Sequence, residues 1–346
     1  MQAKTKERTL FVLGLLMCFS VAAASVLLEK VIPGELLGAS IIALFMGTII
    51  NSFFHPKWVQ PALKFTSKKI LKGAIILLGA SLSVSTILSV GKMTFFVMIF
   101  TFAMCFGGGY FIRKLFGLNW KLSNLISAGT GICGGSAVAA IAPVIDADDK
   151  DIAFAMSSTF LFDMVMIALY PLMGKALGMS DIAYGIWAGT SVNDTASVVA
   201  SGYAFSEAAG DFATMVKLTR TLAIIPTVIT FAFINLRLKR KEAITNRKST
   251  SELKAKFSIK KVFPWFILGF LGMAIVASVF QIPTEVVSAT KTASKFLMVS
   301  ALAAIGLNTS FGDLKKSGIR PMVHGFIISA LVVIVALLVE MAMGIV

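Results

Sequence analysis

Histidine occurs only twice in the 346 residues, cysteine only three times, and charged side chains make up only 14% of the chain. The two histidines, His55 and His324, stand far apart and form no His-Glu-x-x-His pattern, so no catalytic metal centre is indicated. Cys18, Cys105 and Cys133 are isolated in apolar stretches, which argues against a disulfide framework or a zinc cluster and leaves them as small apolar residues. The chain also lacks a Gly-x4-Gly-Lys-Ser/Thr loop and a Gly-x-Ser-x-Gly elbow, so neither nucleotide-driven work nor a hydrolase is expected. No enzyme activity, cofactor or metal is read from it.

Apolar residues supply 57% of the sequence and the mean hydropathy is +0.87. Soluble domains carry about 25% charged residues. Apolar runs of roughly 20 residues recur along the whole chain, each long enough to cross about 30 Å of hydrocarbon as a helix. The expected fold is all-α, a polytopic membrane protein in contact with lipid. Breaks at charges, proline and glycine give eleven candidate spans: 9–28, 35–53, 70–89, 93–112, 123–144, 152–174, 182–205, 211–235, 263–281, 288–308 and 321–345. The net charge of +15 would suggest nucleic acid on a soluble surface. Here the cations fall in short loops, where they act as topology signals, and no nucleic-acid partner is expected.

With the N-terminus in the cytoplasm of a multi-pass cell-membrane protein, the expected inner segments carry Lys4, Lys6 and Arg8, then Lys57 to Lys69, Arg113 to Lys121, Lys175, Arg237 to Lys261, and Lys315 to Arg320. The expected outer segments are acidic, with Asp146, Asp148, Asp149 and Asp151, and with Glu207 and Asp211, and the C-terminus lies outside. Lys291 and Lys295 are exceptions to this pattern. Trp58, Trp120, Trp187 and Trp265 fall toward the inner side. The first run is longer than the apolar core of a secretory signal and reads as a retained helix. Residues 237–261 form a basic cytoplasmic linker. Gly34 to Gly38 and Gly185 to Gly189 match small-residue contact motifs, which serve packing within a chain or a homo-oligomer.

Two segments align without a gap at a spacing of 60, Ala128-Gly129-Thr130 onward and Ala188-Gly189-Thr190 onward, and the match extends to Asp151 and Asp211. With one full span between them, both are expected to run in the same direction. Gly129, Gly131, Gly134 and Gly135 at mid-span weaken a helix by about 1 kcal/mol each, so the fifth span is expected to open. The seventh places Asn193, Asp194 and Thr195 at matching depth. Four ionisable residues fall within spans: Asp163, Asp194, Lys217 and Arg220. Such groups are costly in a bilayer and usually functional. Lys217 and Arg220, spaced i, i+3, share one helix face, and Asp194 is the nearest candidate partner. Either the cations are satisfied by snorkelling and an Arg220–Asp194 pair, or one remains available to hold an anionic solute, with backbone donors of the opened glycine segment beside it. Pro226 is expected to kink the eighth span.

At these residues the chain resembles the sulfate exporter family of YeiH-like membrane proteins. The resemblance is carried by Gly129-Thr130-Gly131-Ile132-Cys133-Gly134, by Gly189-Thr190 with Asp194-Thr195-Ala196-Ser197-Val198-Val199, and by Lys217-Leu218-Thr219-Arg220. It implies membership of a broader group of secondary transporters that includes bile-acid and sodium–proton carriers. It also implies a single domain, 1–346, with two five-helix inverted repeats at 35–174 and 182–345, interrupted helices and an extra N-terminal helix at 9–28. In that scheme the fifth and tenth spans are the crossing pair, the tenth carrying the polar stretch Gly306 to Ser310. The sequence departs from the family pattern in having Asn193 where His is usual, which removes the easiest group to titrate near neutral pH, and Gly135 where Asn or Ala often follows Cys-Gly.

The expected function is alternating-access transport of a small anion such as sulfate or an organosulfonate. Its expected contacts are Thr130, Gly131, Cys133, Gly134, Ser136, Thr190, Asn193, Asp194, Thr195, Lys217 and Arg220. A proton or sodium ion is the candidate coupling ion, with Asp163, Asp194 and Asn308 as candidate ligands. The alternatives are sodium–proton exchange on Asp163 and Asp194, or a membrane protein that does not transport.

Overall fold

The computed structural model describes residues 2–31, 39–54, 56–82, 84–245, 263–280, 282–309 and 319–346, and these are all-α. Among them, five helices are long and apolar enough to cross a membrane: Glu7–Lys30, Val84–Phe116, Lys150–Ala176, Glu207–Lys241 and Ile319–Ala342. Ala39–Phe53 and Trp265–Phe280 are shorter apolar helices. The protein is therefore a multi-pass membrane protein. In chain order the helices are α1 (Gln2–Val31), α2 (Ala39–Phe53), α3 (57–81), α4 (84–116), α5 (Trp120–Ala128), α6 (Gly135–Ile141), α7 (Asp149–Ala176), α8 (Asp181–Ser191), α9 (Thr195–Phe205), α10 (207–245), α11 (Trp265–Phe280), α12 (Thr284–Leu307) and α13 (Ile319–Ala342).

Short polar residues start several of these helices by satisfying free backbone N–H groups. Asn119 accepts from Leu122 N at 2.8 Å, Asp148 from Asp151 N at 2.7 Å, Ser180 from Ala183 N at 3.3 Å and Ser206 from Ala209 N at 3.0 Å. In α10 the helix is interrupted between Thr221 and Ile224, one turn before Pro226, whose ring displaces the carbonyl four residues earlier.

The fifth and seventh spans do not cross the bundle; each turns back on itself. Lys121 Nζ, at the start of α5, donates to the Asp146 carbonyl beyond α6 at 2.6 Å. A straight helix over the same residues would separate the two positions by about 37 Å. Asn119 also reaches the Asp151 carboxylate, at 3.1 Å. The second hairpin closes in the same way. Ser206 Oγ, beyond α9, donates to Asp181 Oδ1 at the start of α8 at 2.5 Å, Tyr184 Oη donates to the Ser201 carbonyl at 3.1 Å, and the Tyr184 and Phe205 rings stack at 4.0 Å. Each arm is about half as long as a bilayer-crossing helix.

The hairpins enter from opposite ends of the bundle, because α7 runs between them. At one end Asp146 pairs with Lys239 at 2.6 Å and accepts from Asn235 Nδ2 at 2.8 Å. Burial raises the Asp146 pKa, but the bonds from Lys239 and Asn235 outweigh this and hold it below the usual carboxylate value. At the other end Asp211 pairs with Lys291 at 2.6 Å, and Glu207 pairs with Lys295.

Several expectations from the sequence are corrected here. The two segments related by 60 residues run in opposite senses. The acidic run from Asp146 to Asp151 lies at the same end as Lys121 and Lys239, and Lys175 lies at the opposite end, with Glu207. Lys291 and Lys295 cease to be exceptions, because acids of their own end neutralise them. Trp187 is a core residue that donates to the Val333 carbonyl at 2.9 Å. The break between the third and fourth spans falls at Leu82, where the backbone turns extended, and Gly91 and Lys92 lie inside α4. The tenth span is uninterrupted through Leu307, so it does not supply a broken crossing partner. Residues 237–245 of the basic linker continue α10. Residues 246–261 of that linker, the Gly34–Gly38 motif, Ser310, Lys315 and Lys316 lie outside the described residues. Gly185 and Gly189 pack within the chain: a Cβ on either would come within 2.7 Å of Phe212 or Val216 of α10.

Candidate functional site

The two hairpin tips meet in the middle of the bundle. At the first tip a wide turn over Gly129–Cys133 closes on Gly134, whose N–H donates to the Gly129 carbonyl at 2.8 Å. Gly134 has φ +62° and ψ −137°, a region essentially closed to residues with a Cβ. A Cβ built there would also lie 3.0 Å from Asp194 Cβ and 3.2 Å from Asp194 Cα. Gly134 and Asp194 are the residues that the 60-residue offset superposes. Gly134→Ala should therefore strain its own turn and push the tips apart. A loss of about 2–3 kcal/mol is expected, read as a lower unfolding midpoint of the purified variant, and an unchanged midpoint would refute the tight contact.

At the second tip α8 ends at Ser191 and α9 starts at Thr195, leaving the N–H groups of Asn193 and Asp194 and the carbonyls of Val192 and Asn193 to find partners outside the two helices. Charged side chains satisfy them. Asp163, on α7, accepts from Asn193 N at 3.0 Å with Oδ1 and from Asp194 N at 2.8 Å with Oδ2. Asp194 caps α9 by accepting from Ala196 N at 2.9 Å. Lys217 Nζ donates to the Val192 and Asn193 carbonyls at 2.9 and 2.5 Å. Arg220 reaches across both hairpins, with Nη1 on the Val192 carbonyl at 3.2 Å and Nη2 on the Thr130 carbonyl at 2.7 Å.

Lys217 and Arg220 are fully buried, so neither snorkels to a surface. Among the described residues neither lies within ion-pair distance of a carboxylate, and the expected Arg220–Asp194 pair does not form. Two cations and two carboxylates thus sit in one cluster, all bound to opened backbone rather than to one another. Arg220 Nε and Asn193 Oδ1 are buried without hydrogen-bond partners among the described residues. Asp194 and Thr195 are half-buried and form the partly accessible rim of the cluster.

The sequence-derived candidates divide in two. Thr130, Gly131, Cys133, Gly134, Asn193, Asp194, Thr195, Lys217 and Arg220 belong to the tips or to the side chains that hold them. Thr190 is buried just before the second tip, with its hydroxyl on the Ile186 carbonyl at 2.8 Å. Ser136 is exposed on α6, two residues beyond Gly134. Asn308 is an exposed residue capping the end of α12, and among the described residues neither it nor Ser136 is hydrogen-bonded to the tips.

Sequence reasoning passed over Ser329 of α13, whose hydroxyl lies 3.3 Å from Thr130 Oγ1 and 3.3 Å from Asn193 Nδ2, bridging both tips. It also passed over Tyr170 and Ser191, whose hydroxyls bond to each other directly behind the second tip. A lone hydroxyl in an apolar helix gives little signal in a sequence. Among the described residues no group of three or more His, Cys, Asp or Glu is placed to hold a metal ion.

Residues 13–325 match the family model described as conserved hypothetical protein 698. A UPF0324 membrane protein of Clostridium tetani is 53% identical over 334 residues, covering 96% of this chain and 97% of the relative. UPF0324 membrane proteins of Streptococcus pyogenes serotype M18 and Streptococcus mutans are 37% and 36% identical over 340 residues, each at 96% and 97% coverage. No solved structure matches the chain.

Proposed function

The chain belongs to the family described as conserved hypothetical protein 698, the UPF0324 membrane proteins, and we propose that it is a secondary active transporter of a small anion of the sulfate or organosulfonate class, working by alternating access. One observation carries this reading: Lys217 and Arg220 lie fully buried where two opposed hairpin tips meet, with no carboxylate among the described residues paired to either. Positive charge held in a low-dielectric interior by neutral carbonyls strongly attracts an anion. The guanidinium keeps a spare Nε–H donor, and its planar fork suits an oxyanion. Thr130, Gly131, Cys133, Gly134, Thr190, Asn193, Asp194 and Thr195 supply the surrounding tip surface once the hairpins part.

Sodium–proton exchange is the weaker reading. The carbonyl oxygens at the opened backbone, the natural ligands of a sodium ion, are taken by the protein's own ammonium and guanidinium groups. Asp163 spends both oxygens on backbone N–H groups.

In this proposal the protein lies in the cell membrane with the Asp146 end cytoplasmic, as Arg113, Lys114, Lys121 and Lys239 at that end favour. The N-terminus is then inside and the C-terminus outside. Helices α1 to α4, α7 and α10 to α13 cross, and the two hairpins dip in from opposite faces. The inverted repeat is a hairpin followed by a helix, residues 120–176 and 181–241. The 35–174 and 182–345 division would set the hairpins out of register, fourth element against first.

Reconstituted protein should carry labelled sulfate or methanesulfonate into liposomes, and the transported anion should raise the unfolding midpoint of the purified protein. Lys217→Gln retains a donor for one carbonyl but removes the charge. It should lower anion flux by at least about tenfold and abolish the anion-dependent midpoint shift. A variant that keeps both would point away from an anion, and sodium-driven proton flux surviving in it would favour the exchanger.

A further inference from the structure

Helix α13 carries one acidic residue that the anion site does not use. Glu340 lies near the Glu207 end of the bundle, is fully buried, and has neither carboxylate oxygen hydrogen-bonded among the described residues. An ionised carboxylate in such a place carries a desolvation cost of several kcal/mol with nothing to offset it. The closed arrangement is thus compatible with Glu340 only as the neutral acid. Glu340 stands one residue pair short of the end of α13 at Ala342, so a small opening would bring it to water.

A run of hydrogen bonds links α13, the helix that carries Glu340, to the cations. The Tyr170 side chain, on α7, is buried and its ring packs on Trp187 of α8 at 4.3 Å. The Tyr170 hydroxyl bonds to Ser191, which bonds to the Trp187 carbonyl, and Trp187 Nε1 donates back to Val333 of α13. Ser191 immediately precedes Val192, whose carbonyl takes both Lys217 and Arg220. The titratable groups packed around this part of α13 are Tyr170 on α7 and Tyr184 on α8. Lys92 on α4, Lys175 on α7 and Asp181 on α8 are exposed.

We infer that Glu340 binds and releases a proton during each cycle, coupling movement of the anion to movement of a proton at the Glu207 end. This inference rests on the anion-transport reading. For a solute to reach Lys217 and Arg220, the α8–α9 hairpin has to withdraw from the other tip. That shift carries Ser191 and Trp187 with it, and through the Trp187–Val333 bond that ties α8 to α13 it loosens the helix end that carries Glu340. Open toward the Glu207 end, the acid exchanges its proton with water there; with the tips open toward the Asp146 end, the exchange runs through the Tyr170 and Ser191 hydroxyls to the opened centre, so that one proton crosses for each cycle.

The test uses full-length protein in liposomes with labelled sulfate, comparing exchange at equal pH with accumulation driven by a pH gradient. Glu340→Gln, which mimics the neutral acid in shape, should retain exchange within about twofold and lose gradient-driven accumulation by at least about tenfold. Glu340→Asp, which keeps a titratable group, should retain accumulation with a displaced pH profile. Gradient-driven accumulation undiminished in Glu340→Gln would overturn the inference. If wild-type protein moves no sulfate in either mode, the anion reading fails and infrared spectroscopy decides the proton site separately. A pH-sensitive carboxylic-acid band absent from Glu340→Gln supports proton binding there, and a band unchanged in that variant refutes it.

Discussion

Asp163→Ala should cost the protein about 3–5 kcal/mol of stability, among the largest effects of any single substitution in the bundle. The carboxylate holds two backbone N–H groups, the buried one of Asn193 and the partly buried one of Asp194, at 3.0 and 2.8 Å. Hydrogen bonds to a charged group contribute about 1.5–3 kcal/mol each. Removing the acceptor leaves both donors desolvated and unpaired, and it leaves Lys217 and Arg220 with one fewer counter-charge in their neighbourhood. Asp163→Asn keeps one acceptor oxygen but turns an amide donor toward the second N–H, so it should fall between wild type and alanine. Thermal unfolding followed by tryptophan fluorescence is a suitable measurement, since Trp187 is buried in the adjoining arm of the hairpin. An alanine variant that unfolds with the wild-type midpoint would mean that the second tip holds its shape without the carboxylate.

Arg220→Lys should be nearly as damaging to transport as removing the side chain, although it preserves the charge. Arg220 spans two separate elements, the Val192 carbonyl of one hairpin and the Thr130 carbonyl of the other, with two nitrogens of one rigid plane. An ammonium group is a single point and cannot reach both. The variant should keep its hold on Val192, where Lys217 already donates, and release Thr130. Flux should fall by at least about tenfold, with a stability loss of about 1.5–3 kcal/mol for the charged hydrogen bond given up. Lys217→Arg, whose natural contacts both lie within residues 192–193, should be milder in both readouts. Equal flux from wild type and Arg220→Lys would show that the bridge between tips has no part in transport.

Most residues of the centre were legible in the sequence, and its topology was not. Four charges within apolar spans and a glycine run opposite Asn193-Asp194-Thr195 pointed to the residues that the fold brings together. They did so because the cost of charge and open backbone in a membrane is independent of tertiary detail. Hydropathy could not tell a span from a hairpin. Residues 123–144 are as apolar whether they cross once or go halfway and return, and the alternation of cations was read by assuming a crossing. One such error would invert everything after it. Two errors in succession cancel, so α1 to α4 and α10 onward keep the ends expected of them relative to one another while Asp146 and Lys175 exchange places. The break at Leu82 was missed because Lys92 looked like a loop residue, yet it sits exposed on α4. Glu340 could have been found as the lone acid of residues 321–345, but its burial depends on which neighbours cover it, and no local pattern encodes that.

Helix α10 touches every moving part of this arrangement. Its first half packs along both arms of the second hairpin, its middle grips the two tips through Lys217 and Arg220, and its far end is tied to the exit of the first hairpin through Asn235 and Lys239. A rod fastened at three points along its length passes load from one end to the other. In the proposed transport cycle the two hairpins are doors hung on a common shaft. The Pro226 bend lies between the grip on the tips and the lower tether, so the stiffness of that bend decides how much of one door's swing is transmitted to the other.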